Sequence, residues 1–111
     1  MNPKTLEING KTYSVNIADN FIKRAFGLMF RDISENEGLF FKYGNRKLHI
    51  HTFFMKYPID VIFLKDDKIV DIATNLIPWK TYNSKVKSNR MFEVKASGIN
   101  ADLIGKKIKF N

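Results

Sequence analysis

Two histidines on an expected strand are the first residues of this sequence whose types and spacing could do chemistry. His49 and His51 are two positions apart, so on a strand both imidazoles would point to one face. A carboxylate from Asp60 or Glu93 would then complete a facial metal site of two histidines and one acid. The alternative is that one histidine faces solvent and the other satisfies a backbone group. The sequence leaves both interpretations open.

Two carboxylates lie inside apolar segments. Asp60 stands between Ile59 and the apolar residues 61–63, and Glu93 stands between Phe92 and Val94. Burying an unpaired carboxylate costs several kcal/mol, so each needs a cation or backbone donors. Arg31 is the natural partner of Asp60. Such a pair would be either a buried structural ion pair or part of a cleft that holds a polar ligand.

Residues 79–90 mix aromatic rings with positive charge and are expected to form a polar, basic loop. Such a mixture is typical of surfaces that bind single-stranded nucleic acid, where bases stack on rings and cations meet phosphates. It is equally typical of an ordinary exposed loop on a basic protein. The residues concerned are Trp79, Lys80, Tyr82, Lys85, Lys87 and Arg90.

The elements that would position these residues are mostly strands. Asn9-Gly10, flanked by alternating side chains, predicts a hairpin with a type I′ turn over residues 6–15. One short helix is predicted from a cap at Asp19 to a left-handed stop at Gly27. A hairpin is expected around Asp66-Asp67. The other predicted strands are 38–42, 49–55, 91–96 and 106–110, with a turn at 43–45.

This pattern predicts an all-β protein, a small sandwich or flattened barrel of about eight strands with one short α-helix packed across an opening. At 111 residues, the chain is expected to form a single domain over residues 1–111. The first five residues contain no apolar signal-peptide core, and no apolar run approaches the roughly 20 residues that span a bilayer. The cytoplasm is therefore the expected location.

Composition and motifs exclude several kinds of chemistry. The chain has no cysteine, so disulfides, thiolate zinc sites and cysteine nucleophiles are absent. It has no dinucleotide-binding or phosphate-loop glycine pattern and no serine nucleophile elbow. The 19 basic and 11 acidic residues give a net charge of +8, which favours anionic partners and also solubility.

Several sequence blocks resemble one known family. Residues 24–31, 37–41, 51–55 and 58–64, followed by Glu93-Val94 and Ile104-Gly105, are similar in kind and order to the domain of unknown function 192, also called uncharacterised protein family 0127. The resemblance covers roughly residues 13–110. Lys106 is a departure, because an aspartate is common there in the family.

The resemblance implies a compact all-β domain with a helix after its opening strands, and it implies no activity or cofactor. Among the positions typical of the family, the polar ones are the candidates for a ligand site, with Met55 beside them. The candidate ligand-binding residues are therefore Arg31, Asp60, Glu93 and Met55.

Three functional hypotheses follow. The leading one is a non-enzymatic binding or accessory module for an anionic or polar ligand that contacts Arg31, because polar residues lie in apolar segments and catalytic motifs are absent. The second is a metal-assisted enzyme that uses His49, His51 and Asp60. The third is a nucleic-acid binder that uses residues 79–90 and the C-terminal lysines.

Overall fold

The computed structural model describes residues 3–18 and 33–111, and these residues form nine strands and one turn of 3₁₀ helix. The helical turn, Ala101–Leu103, is capped by the Asn100 side chain, which accepts a hydrogen bond from the backbone N–H of Asp102. No helix in these ranges has the length and hydropathy needed to cross a membrane. The strands are β1 Thr5–Ile8, β2 Lys11–Ile17, β3 Glu37–Arg46, β4 His49–His51, β5 Ile59–Lys65, β6 Lys68–Leu76, β7 Thr81–Asn83, β8 Ser88–Lys95 and β9 Lys109–Phe110.

Seven strands form one curled sheet in the order β6-β5-β8-β3-β2-β1-β9, and β4 pairs with β7 in a separate small sheet. All pairings are antiparallel except β2 with β3. A parallel pair requires a long crossover, which here runs from residue 18 to residue 36. The predicted helix from Asp19 to Gly27 falls in this crossover, outside the described residues.

Side-chain alternation on the central strands divides the core between the two faces of the large sheet. On β8, Phe92 and Val94 pack on one face with Ile62 and Tyr13, in what we call the first core cluster. Met91 packs on the other face, in a second core cluster that includes Phe63 and Met55. Strands that are apolar on both sides agree with a sheet covered on both faces.

The all-β class is confirmed, with nine strands where about eight were expected. The hairpin at Asn9-Gly10 is also confirmed, since both residues have positive φ (51° and 86°) and Ile8 pairs with Lys11. The hairpin at Asp66-Asp67 forms as predicted, with Lys65 opposite Lys68.

Several local predictions are wrong. The strand expected at residues 49–55 ends at His51, and the strand expected at residues 106–110 is shortened to Lys109–Phe110. Residues 79–90 are not a single loop, because β7 and the first residues of β8 lie within them. The turn expected at residues 43–45 is part of β3, which continues to Arg46 through a register shift after Lys42. A bulge of this kind inserts residues into a strand without ending it, so turn-type residues there do not reverse the chain.

Gly38 tests how tightly the first core cluster is packed. A Cβ atom there would lie 2.2 Å from Phe92 Cζ, and the Phe92 ring is fully buried against Tyr13 and Phe40. We expect Gly38→Ala to lower the free energy of unfolding, measured in urea, by about 1–3 kcal/mol. Gly44→Ala is the matched control, because a Cβ there meets nothing within 4 Å. Equal effects of the two substitutions would contradict this packing.

Candidate functional site

Asp60 is fully buried on β5 and its carboxylate is satisfied by the backbone. One carboxylate oxygen accepts a hydrogen bond from Asn75 N at 2.8 Å, and the other accepts one from Ser97 N at 3.0 Å. Asn75 lies near the end of β6, with a positive φ of 48°, and Ser97 follows β8. Asp60 therefore anchors two chain segments beside the large sheet.

Glu93 lies on the opposite face of the same sheet. It pairs across strands with Leu39 and Val61, both buried in the second core cluster, whereas Asp60 pairs with Val94 of the first cluster. Paired residues of antiparallel strands point to the same face, so the two carboxylates point away from each other. The sheet keeps Asp60 and Glu93 apart.

Glu93 is in an apolar setting. The side chain is buried, and among the described residues no hydrogen bond or ion pair to its carboxylate is found. Burial away from water raises the pKa of Glu93 to about 7, because the charged form loses its hydration. Met55 is buried in the cluster on this face, while Arg31 lies outside the described residues. A ligand site shared by Glu93, Met55 and Arg31 stays a prediction.

The two histidines are exposed on one face of the small sheet, and each is hydrogen-bonded through Nδ1. The partner of His49 is the side-chain oxygen of Asn83. His51 accepts a hydrogen bond from Phe53 N at 3.2 Å. Within residues 3–18 and 33–111 no group of three His, Asp or Glu side chains could hold a metal ion, so this part of the chain provides no third ligand.

A second candidate surface is built on the small sheet, and we call residues 46–56 and 77–88 the small lobe. Its two halves are joined by the β4–β7 pairing and by Leu48 and Ser84, whose backbones are hydrogen-bonded. Ile50 and Tyr82 pack inward against the second core cluster. The outward face carries four exposed polar side chains, namely His49, His51, Thr81 and Asn83.

Tyr82, one of the rings assigned to nucleic-acid stacking in the sequence, is engaged inside the protein. Its ring stacks on Phe63 with centroids 5.8 Å apart, and its hydroxyl donates to Asp71, 3.0 Å from Oδ2. Burial, followed by the hydrogen bond to the Asp71 carboxylate, raises the pKa of Tyr82 to about 12. Arg90, assigned to the same surface, forms an ion pair with Asp66 at 3.2 Å.

An exposed group of rings covers one end of the small lobe, and we call His51, Phe53, Phe54 and Trp79 the aromatic cluster. The His51 and Phe53 rings stack with centroids 4.7 Å apart, and the Phe53 and Trp79 rings stack at 5.6 Å. Phe54 meets Trp79 edge-on at 4.7 Å. Trp79 is nevertheless 58% exposed. The basic, aromatic pattern of residues 79–90 indicates Trp79 but not its ring partners, which lie in the 51–54 segment.

Thr52, which is fully buried, fixes both chain segments beneath the aromatic cluster. Its hydroxyl donates to Ile77 O at 2.6 Å and accepts from Lys80 N at 2.9 Å. Its carbonyl accepts from Trp79 N at 3.0 Å. This network keeps Phe54 and Trp79 at φ values of 64° and 65°, a left-handed conformation that is strained for bulky residues.

All these features belong to a small all-β domain with a curled seven-stranded sheet and a side lobe. Residues 4–110 match the family model of the domain of unknown function 192, described as "Uncharacterized ACR", and the chain belongs to this family. A UPF0127 protein of Pyrococcus abyssi (strain GE5 / Orsay) is 42% identical over 91 residues, covering 81% of this chain and 75% of the relative. One of Pyrococcus horikoshii is 42% identical over 81 residues, covering 71% and 70%. The resemblance seen in the sequence is confirmed.

Two solved structures share the fold, each over 96% of this chain with a TM-score of 0.80. One is a protein of unknown function from Novosphingobium aromaticivorans DSM 12444, with 24% identity and 83% of its chain aligned. The other, from Sinorhizobium meliloti 1021, is suggested to be a transcription regulator, with 23% identity and 90% of its chain aligned. At these identities the likeness shows the fold alone.

Glu93 makes stability depend on pH. Because its folded pKa lies near 7, above the ordinary value of 4.5, the unfolded chain releases this proton first as pH rises. Ionisation of the Glu93 carboxyl should therefore leave the free energy of unfolding unchanged below pH 4.5. Between pH 4.5 and pH 7 it should lower that free energy progressively, by about 3 kcal/mol in all.

We expect Glu93→Gln to remove this loss, so that its stability advantage over the wild type grows between pH 4 and pH 8. Urea unfolding at a series of pH values measures it. Glu35→Gln, at an exposed position, is the control and should leave the wild-type pH dependence unchanged. If the free energy of unfolding of Glu93→Gln changed with pH in parallel with that of the wild type, a raised pKa for the buried Glu93 carboxyl would be ruled out.

Proposed function

We propose that the protein is a non-enzymatic binding module and that it binds an anionic ligand on the small lobe. The observation that carries this proposal is the distribution of charge along the chain. Residues 38–59 and 72–92 contain eight lysines and arginines and not one aspartate or glutamate, while the rest of the chain carries eleven residues of each sign. The whole formal excess of +8 therefore belongs to the two segments that include the small lobe.

The fold brings these positive charges together. Six exposed cations lie in the small lobe, where the pairing of β4 with β7 joins its two halves. Like charges gathered in one region repel each other and destabilise the folded state, whereas they attract an anion strongly. A solubilising surface charge would not require this segregation. The six are Arg46, Lys47, Lys56, Lys80, Lys85 and Lys87.

The buried carboxylates support binding rather than catalysis. The carboxylates of Asp60 and Asp71 accept backbone hydrogen bonds, and Glu93 stands among apolar side chains. A general base needs a reacting group within hydrogen-bond reach, and none of these three carboxylates faces the small lobe's exposed side. A pocket beside Asn9 is a weaker candidate for binding an anion. It is lined by Lys11, Lys106 and Asp102 among others, so positive and negative charges are mixed there.

Charge reversal on the small lobe tests the proposal. We expect Lys47→Glu with Lys87→Glu to weaken binding of short-chain polyphosphate by on the order of tenfold or more at low ionic strength, because each close charge pair in water contributes about 1 kcal/mol. Titration of labelled polyphosphate at several salt concentrations measures this, with thermal unfolding as the check on folding.

The matched control is Lys4→Glu with Lys107→Glu, which makes the same change in net charge at exposed positions outside the small lobe. It should retain most of the affinity. Equal weakening by both double variants would show attraction by net charge alone, and absence of polyphosphate binding at low salt would overturn the proposed function.

A further inference from the structure

The aromatic cluster has no evident role in folding. Phe53, Phe54 and Trp79 are exposed by 36%, 45% and 58% and belong to neither core cluster. Two of the three hold left-handed backbone conformations that bulky residues rarely adopt. Conformational strain of this kind concentrates at ligand sites, where surrounding contacts impose it. Here the buried Thr52 imposes it through five hydrogen bonds to the Ile77–Lys80 segment.

Three of the rings are arranged as a row. His51, Phe53 and Trp79 lie nearly parallel, with interplanar angles of 23° and 29° between successive rings. Phe54 meets Trp79 edge-on, and because Phe53, Phe54 and Trp79 all remain exposed, aromatic surface of the cluster faces solvent. Flat, exposed aromatic faces are the surfaces on which unpaired bases stack, whatever the base.

The rest of the outward face suits a polyanion that carries polar bases. Beside the rings, the small sheet exposes His49, Thr81 and Asn83. Lys80 directly follows Trp79, and Lys56 lies two residues after Phe54. Lys47 lies six residues before Phe53, which is about 20 Å along an extended chain. A few nucleotides of single strand span such a distance.

We propose that the aromatic cluster stacks unpaired bases and that the anionic ligand of the small lobe is a single-stranded nucleic acid. This inference rests on the proposed function and specifies its ligand. Paired bases in a duplex are already stacked on one another, so a duplex offers nothing to the ring row. A lipid surface fits less well, because the polar side chains of His49, Thr81 and Asn83 beside the rings would have to leave water for hydrocarbon.

Trp79 is the only tryptophan of the chain, so its intrinsic fluorescence reports on the site directly. The probes are an oligothymidylate and an oligouridylate of about twelve nucleotides, a length within the range of small single-strand binding domains. An abasic oligomer with the same phosphates and a duplex of the same length complete the nucleic-acid series. Vesicles of phosphatidylserine and phosphatidylcholine test a lipid surface.

We expect both single strands to quench Trp79 and to bind more tightly than the abasic oligomer, by roughly 5- to 150-fold for each base stacked. Binding of one sugar type alone would assign the ligand to DNA or to RNA and would support the proposal equally. The abasic oligomer and the duplex should leave the fluorescence nearly unchanged.

Ring removal provides the second measurement. With the anisotropy of labelled oligomers as the readout, Trp79→Leu and Phe53→Leu should each bring oligothymidylate affinity toward that of the abasic oligomer, while the salt dependence stays unchanged because the phosphate contacts remain. The control is Ile77→Ala, which removes an exposed aliphatic side chain beside the rings and should have no effect. Two aromatic variants keep the test valid if one of them fails to fold.

Equal affinity for oligothymidylate and the abasic oligomer, with unchanged Trp79 fluorescence, would overturn the stacking proposal. If polyphosphate binding persisted in that case, the proposed function would stand without it. A blue shift of Trp79 with anionic vesicles but not with single strands would also overturn the proposal and assign the surface to a membrane.

Discussion

The small lobe depends on one buried carboxylate. Asp71, 2% exposed on β6, accepts hydrogen bonds from Ile72 N, Lys85 N and the Tyr82 hydroxyl. A carboxylate removed from water must find donors or lose several kcal/mol, and two of these donors come from β7 and the turn that follows it. Because an isolated two-stranded sheet is marginal in water, this anchor and the inward packing of Ile50 and Tyr82 determine where the lobe lies.

The same requirement distinguishes Asp60 from Glu93. Asp60 finds two backbone donors at the ends of neighbouring strands, so its carboxylate links the segments that carry them. Glu93 meets Leu39 and Val61 instead, and its pKa rises to about 7 as a result. A carboxyl at this position keeps its proton in the folded state up to neutral pH.

Local features of the fold could be predicted from the sequence, whereas the meeting of distant residues could not. The Asn9-Gly10 hairpin follows from two residues that tolerate positive φ, and neither residue needs a distant partner. Whether Asp60 and Glu93 meet depends on the register of β5 and β8, and a shift of one residue would reverse the outcome. Since Val61 is opposite Glu93, Asp60 points to the other face.

The aromatic cluster illustrates the same limit. Its rings come from segments about 25 residues apart, which meet only because β4 pairs with β7 and Thr52 bonds to Ile77 and Lys80. Neither pairing has a signal in the local pattern. The basic, aromatic character of residues 79–90 did point to this part of the molecule, but it included Tyr82 and Arg90, which are engaged elsewhere, and it missed Phe53 and Phe54.

Two costs to stability therefore occur together in the small lobe. Left-handed backbone at Phe54 and Trp79 costs of the order of 1–3 kcal/mol each, and six cations without an acidic residue in the lobe repel one another. A fold that is only marginally stable retains such costs where they prepare a surface for a ligand. Rings already fixed in position lose little conformational entropy when a partner stacks on them, and gathered cations speed the approach of an anion. Backbone strain and positive charge are thus found together in the small lobe, although each arises from different residues of the sequence.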